Sequence, residues 1–162
     1  MSSEQLLQQA QSTLWLPGAL DEPGLVRVMD SMLAKGADFA DLYFEKTLSE
    51  SWSLEDGIVK DGSFNVGGGV GVRALCGEKT GFSYSDQADL ASIQRAASAA
   101  ATVANGKGGR CQAVNRQHPA ALYNALNPLD TMGPDDKIAL LQSADQLARR
   151  LDPGVVDVSV SL

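Results

Sequence analysis

The chain has 162 residues, with 13 Lys and Arg against 20 Asp and Glu, two Cys, one His and a formal net charge of −7. One histidine cannot supply a two-histidine zinc motif, and Cys76 and Cys111 stand too far apart for a close-spaced thiolate pair. The charge argues against the basic stripe that nucleic-acid binding needs, and no apolar run nears the ~20 residues of a membrane helix. Isolated cysteines and the lack of a basic-then-apolar leader pattern predict a soluble, cytoplasmic chain.

Residues 3–14 predict a short helix, with Ser2 and Gln5 in capping-box spacing. Pro17-Gly18 breaks it, and residues 1–20 read as a loosely attached helical arm. A second helix is predicted from Glu22 to Lys35, capped by Asp21, with Pro23 in its first turn and Gly36 at its end. Leu25, Val28, Met29, Met32 and Leu33 share one face, as a core stripe does.

The period then changes to two. Ala40, Leu42, Phe44, Lys46 and Leu48 alternate with Asp41, Tyr43, Glu45 and Thr47, which predicts a strand with one apolar face, frayed at Lys46. Trp52 and Leu54 continue on a second strand, and Asp56-Gly57 is a type I′ hairpin signal. Ile58-Val59-Lys60 reads as a short strand ended by a second Asp-Gly, Asp61-Gly62. Phe64 and Val66 follow, then the Gly67-Gly68-Gly69 run, then an alternating stretch from Val70 to Cys76. Residues 77–80 turn the chain into Gly81–Ser85. The expectation is an α+β fold, an antiparallel meander of four to six strands packed against two or three helices.

Asp86 is placed as N-cap of an Ala-rich helix over residues 88–104, ended by Gly106. Residues 106–130 read as loop. A third major helix is predicted over Pro134–Leu151, stopped by Asp152-Pro153-Gly154. Val156, Val158, Val160 and Leu162 then alternate with polar residues. A chain ending inside such a strand is expected to be a single domain, 1–162, cut from the N-terminal part of a longer polypeptide; the plainer reading is a last strand that closes the sheet.

Candidate chemistry is sparse. Gly69-Val-Gly71-Val-Arg-Ala74 resembles a dinucleotide fingerprint, but a strand follows it where a helix is required. Gly77-Glu-Lys79-Thr80 lacks the upstream glycine of a phosphate loop. Glu55-Asp56 reads as a solvated turn. Cys76 and His118 form a nucleophile and base only if the fold joins them; Cys76 reads more simply as a small core residue and His118 as exposed. Trp52, Arg73, Phe82 and Tyr84 are the candidate peptide or subunit contacts, through stacking or strand addition. Sheet core is the plainer reading of each aromatic. No catalytic, cofactor or metal residue emerges from this chain.

Three stretches carry a resemblance: Gly36-Ala-Asp-Phe-Ala-Asp-Leu-Tyr-Phe-Glu45, Glu50-Ser-Trp-Ser-Leu-Glu-Asp-Gly-Ile-Val-Lys-Asp-Gly-Ser63 and Gly69-Val-Gly-Val-Arg-Ala-Leu-Cys-Gly-Glu-Lys-Thr-Gly-Phe-Ser-Tyr84. Together they resemble the N-terminal domain of the TldD/PmbA (TldD/TldE) metalloprotease family, in its TldD-like form. The resemblance implies a parent about three times longer, with a His-Glu-x-x-x-His motif binding a catalytic metal, zinc. It implies a heterodimer with a PmbA/TldE-like subunit, proteolysis of unfolded peptides, a link to modulation of DNA gyrase, and an α/β N-terminal domain that helps enclose the chamber. The motif itself is missing here, so no cofactor is expected in this chain and the chain should be inactive alone. A stand-alone peptide- or protein-binding module acting through its sheet edge is the alternative.

Overall fold

A computed structural model describes residues 3–104 and 126–162. The elements are α1 (Ser3–Leu14), α2 (Glu22–Ala34), β1 (Phe39–Glu55), β2 (Ile58–Cys76), β3 (Lys79–Ser85), α3 (Leu90–Val103), α4 (Pro134–Leu151) and β4 (Ser159–Ser161), with 3-10 turns at Leu16–Gly18 and Pro128–Asp130. The strands form one antiparallel sheet in the order β3-β2-β1-β4, which makes the fold α+β. The chain divides into two compact units, Met1–Lys46 with Gly67–Asn124, and Thr47–Val66 with Ala125–Leu162.

In the first unit, alternate residues of β2 (Val70, Val72 and Ala74) are buried, with Ala40, Leu42 and Phe44 of β1 packed against the same core. Helix α2 adds Leu25, Val28, Met32 and Leu33, and α3 adds Ile93 and a stripe of alanines. Those alanines let α3 lie very close to β3. A Cβ on Gly81 would stand 1.9 Å from the Ala100 carbonyl oxygen, so only glycine fits there. The Asp21 carboxylate caps α2 by accepting from the Gly24 N–H at 2.8 Å. The end of the 1–20 segment is tied down: Leu20 is buried, and the Trp15 ring packs 6.3 Å from that of Phe44.

In the second unit, β4 pairs with the end of β1, Leu54 opposite Val160, and Trp52 and Leu162 exchange backbone hydrogen bonds at 3.0 Å. Leu54 of β1 and Leu141 of α4 are its fully buried apolar side chains.

Several expectations need correction. The two strands expected between Ala40 and Leu54 are one, β1. Asp61-Gly62 is not a turn and the Gly67–Gly69 run is not a break; both lie inside the 19-residue strand β2. The glycines answer to neighbours across the sheet. A Cβ on Gly62 would come within 2.9 Å of the Trp52 ring, one on Gly68 within 2.8 Å of the Glu45 carbonyl oxygen, and one on Gly69 within 2.4 Å of the Ser85 carbonyl oxygen. The true hairpin is Asp56-Gly57, with φ of 49° and 75°, as a type I′ turn requires. Asp89, not Asp86, caps α3, accepting from the Ser92 N–H at 2.9 Å. Ser2, Gly106, Cys111 and His118 lie outside the described residues. Among the described residues, no helix is long and apolar enough to cross a membrane.

Candidate functional site

Glu50 sits on β1 between Leu48 and Trp52, in a series of alternate residues that ends with Leu54. A carboxylate there needs a partner. Lys137 of α4 supplies it. Its ammonium donates to Glu50 Oε1 at 2.8 Å, to Oε2 at 2.7 Å and to the Leu129 carbonyl at 3.2 Å, which accounts for all three of its donors. The Trp52 indole N–H donates to the same carboxylate. Both charged side chains are nearly buried, 9% exposed for Lys137 and 13% for Glu50. Lys137, and then Trp52, hold the Glu50 carboxyl below its ordinary value.

A second polar node closes the other end of α4. Arg149 Nη2 donates to Asp56 Oδ1 at 2.6 Å, and its Nε donates to Asp145 at 3.1 Å. The Val158 N–H also donates to Asp56 at 3.0 Å. The Val158 amide, and then Arg149, hold the Asp56 carboxyl below its ordinary value. The Glu55-Asp56 pair is therefore not simply a solvated turn: Glu55 is exposed, but Asp56 ties the hairpin to α4 and to the approach to β4. The spacing of the two nodes is geometric. Twelve helical residues from Lys137 to Arg149 rise about 18 Å, and six strand residues from Glu50 to Asp56 span about 20 Å. Helix and strand thus run side by side, clamped at both ends.

Beside the first node lies an open groove of about 440 Å³, wholly within the second unit. Trp52 and Phe64 give it an aromatic lining, to which Leu129, Met132, Pro134 and Asp130 also contribute. Gly62 leaves room for the Trp52 ring, whose N–H is anchored by Glu50, so that ring is fixed from two directions.

The four predicted contact residues do not gather at one place. Arg73, Phe82 and Tyr84 share one face of the β2–β3 pair in the first unit. Arg73 stands opposite Phe82, and Tyr84 opposite Gly71. Phe82 is 64% exposed and Tyr84 78%, so neither is sheet core. The reason is register: Val70, Val72, Ala74 and Gly81 take the helix-covered face, and Phe82 and Tyr84 fall on the other. The Phe82 ring lies against Gly71. Arg73 donates to both oxygens of Asp41, at 2.9 and 2.8 Å. Trp52 belongs to the second unit and faces the Glu50 node.

The family described as PmbA/TldA metallopeptidase domain 1 matches residues 40–104. A "Metalloprotease TldD homolog" of Haemophilus influenzae is 46% identical over 160 residues, covering 97% of this chain. The chain belongs to the TldD/PmbA family. TldD homologs of two Buchnera aphidicola subspecies are also similar, 37% identical over 83% of this chain (from Acyrthosiphon pisum) and 32% over 96% (from Schizaphis graminum). The chain spans about a third of these relatives, 33%, 28% and 32% of their lengths. Two solved structures share the fold. A proposed modulator of DNA gyrase from Bacteroides thetaiotaomicron aligns at TM-score 0.59 and 17% identity, over 88% of this chain and 34% of that one. TldE from Thermococcus kodakarensis aligns at 0.57 and 18%, over 86% and 32%.

The TldD relatives are named metalloproteases, which raises the question of a metal. Among the described residues, no three His, Cys, Asp or Glu side chains converge to hold one. Glu50, Asp56 and Asp145 are engaged by cations of this chain. These residues do not fit a metal centre. Cys76 is half-buried against the first unit's core; its proposed partner His118 lies outside the described residues. Sequence reasoning missed Glu50 and Lys137 altogether. The signal was present: a carboxylate on an apolar strand face, and a lysine four and eight residues before Leu141 and Asp145 on the buried stripe of α4.

Proposed function

We propose that this chain is the non-catalytic N-terminal domain of a TldD-like zinc metallopeptidase that cleaves unfolded peptides in the cytoplasm. In this reading it forms part of the chamber wall and the contact with a PmbA/TldE-like subunit. The carrying observation is the 46% identity across 160 residues to a TldD relative of which the chain matches a third. The exposed Phe82 and Tyr84 beside the Arg73–Asp41 pair suit a covered wall or subunit contact, since aromatic and arginine side chains are enriched in interface cores. Neither nucleic acid nor a membrane has a place in this reading. The test is an unfolded-peptide cleavage assay of this chain with added zinc. No turnover is expected, and turnover abolished by a chelator would overturn the non-catalytic role.

A second reading, a stand-alone module that binds extended peptides through its sheet edge, is favoured by β3. It is an edge strand, and it carries Phe82 and Tyr84 exposed. The reading frame past Leu162 separates the two. A downstream His-Glu-x-x-x-His supports the peptidase domain, and a stop codon supports the module.

A further inference from the structure

We infer that the groove of the second unit is a binding site for a basic side chain, arginine or lysine, presented by an extended polypeptide. The inference needs only this unit and does not rest on the peptidase reading. The groove combines two aromatic rings with an uncompensated negative charge. Trp52 is held in place by its indole N–H and by the cut-out at Gly62. Phe64, two residues further along β2, is 59% exposed and lines the same groove. A cation over such rings is attracted by their π faces.

The charges in the groove sort themselves. The Lys137 ammonium spends its three donors on Glu50 and the Leu129 carbonyl, so this pair is neutral as a unit. That leaves Asp130. Its carboxylate accepts one hydrogen bond, from Asn127 Nδ2 at 2.8 Å, and a carboxylate has about four acceptor sites. Asp135 and Asp136, in the first turn of α4 beside Pro134, add negative charge nearby. An acidic ligand would be repelled, and a purely aliphatic one would leave Asp130 unused. A guanidinium or ammonium on a long apolar stem satisfies both parts: the stem packs on Trp52 and Phe64, and the head reaches Asp130.

The experiment is an NMR titration of the full chain with three blocked pentapeptides, Gly-Gly-X-Gly-Gly, where X is arginine, citrulline or leucine. Citrulline keeps the arginine shape without its charge. The arginine peptide is expected to shift the Trp52 indole N–H and the amides of residues 61–64 and 129–134. It should bind on the order of fivefold more tightly than the citrulline peptide. Asp130→Asn should remove most of that preference, and Phe64→Ala should weaken arginine and citrulline peptides alike; both residues are exposed, so the fold should survive. Equal binding of arginine and citrulline, shifts confined to other residues, or an arginine preference untouched by Asp130→Asn would each overturn the inference.

Discussion

The two units of the chain are stabilised in different ways. The first has a broad apolar core, built from α2, α3 and alternate residues of β2, with fifteen of the described residues buried in one cluster. The second buries few apolar side chains, chiefly Leu54 and Leu141, and flanks them with the Glu50–Lys137 and Asp56–Arg149 nodes. Burial of apolar area is non-directional and involves no titrating group. A nearly buried ion pair depends on both partners being charged and in place, because removing one strands the other. The same sheet is therefore held by area in one unit and by geometry in the other.

The largest effect is expected where the first unit is most filled. Met32→Ala or Ile93→Ala should cost about 2–5 kcal/mol, read as a lower denaturant midpoint. Gly81→Ala should cost about 1–3 kcal/mol by overpacking against α3. If it is silent, the close approach of β3 and α3 is wrong.

Next, Lys137→Met should expose α4 amides to hydrogen exchange while leaving those of α3 protected. Adding Glu50→Gln to Lys137→Met should restore part of the protection, since the stranded charge is then gone. Equal loss in α3 and α4 would abolish the distinction between the units.

The pH response is smaller and has a definite sign. Glu50 and Asp56 are held below their ordinary values of 4.5 and 3.8. A depressed folded-state value means that their stabilisation is complete above the ordinary value and is lost as pH falls through the depressed one. The α4 amides should thus lose protection on acidification below about pH 4. Asp89, held down first by the Ser92 amide, gives the first unit a similar response confined to the start of α3. Asp56→Asn should flatten the acid response around the hairpin. Smallest of all, Asp21→Ala should remove about 1 kcal/mol through loss of the α2 cap, read by thermal melting.

Much of this architecture was legible from local pattern. Pro134 and Leu151 bound α4 as their chemistry suggests, and Asp56-Gly57 makes the hairpin that the dipeptide signals. The misreadings share a cause. Gly62, Gly68 and Gly69 look like chain breaks because glycine breaks strands when nothing else is known. Here each is small because something across the sheet needs the space. Glu50 and Lys137 were invisible as a pair because 87 positions separate them. Trp52, Arg73, Phe82 and Tyr84 could be grouped by residue type, but only register places three on one face and sends Trp52 to another node.

One histidine and a net charge of −7 narrowed the chemistry from the start, because composition limits what any arrangement can hold. Periodicity determined the helices, since the forces behind it act within a few residues. The family signature also lies in the linear text. The tertiary structure alone decided which glycines are clearances, which carboxylates are clamped and where the groove opens. Each of these depends on contacts between residues far apart in the chain, and no local pattern encodes that distance.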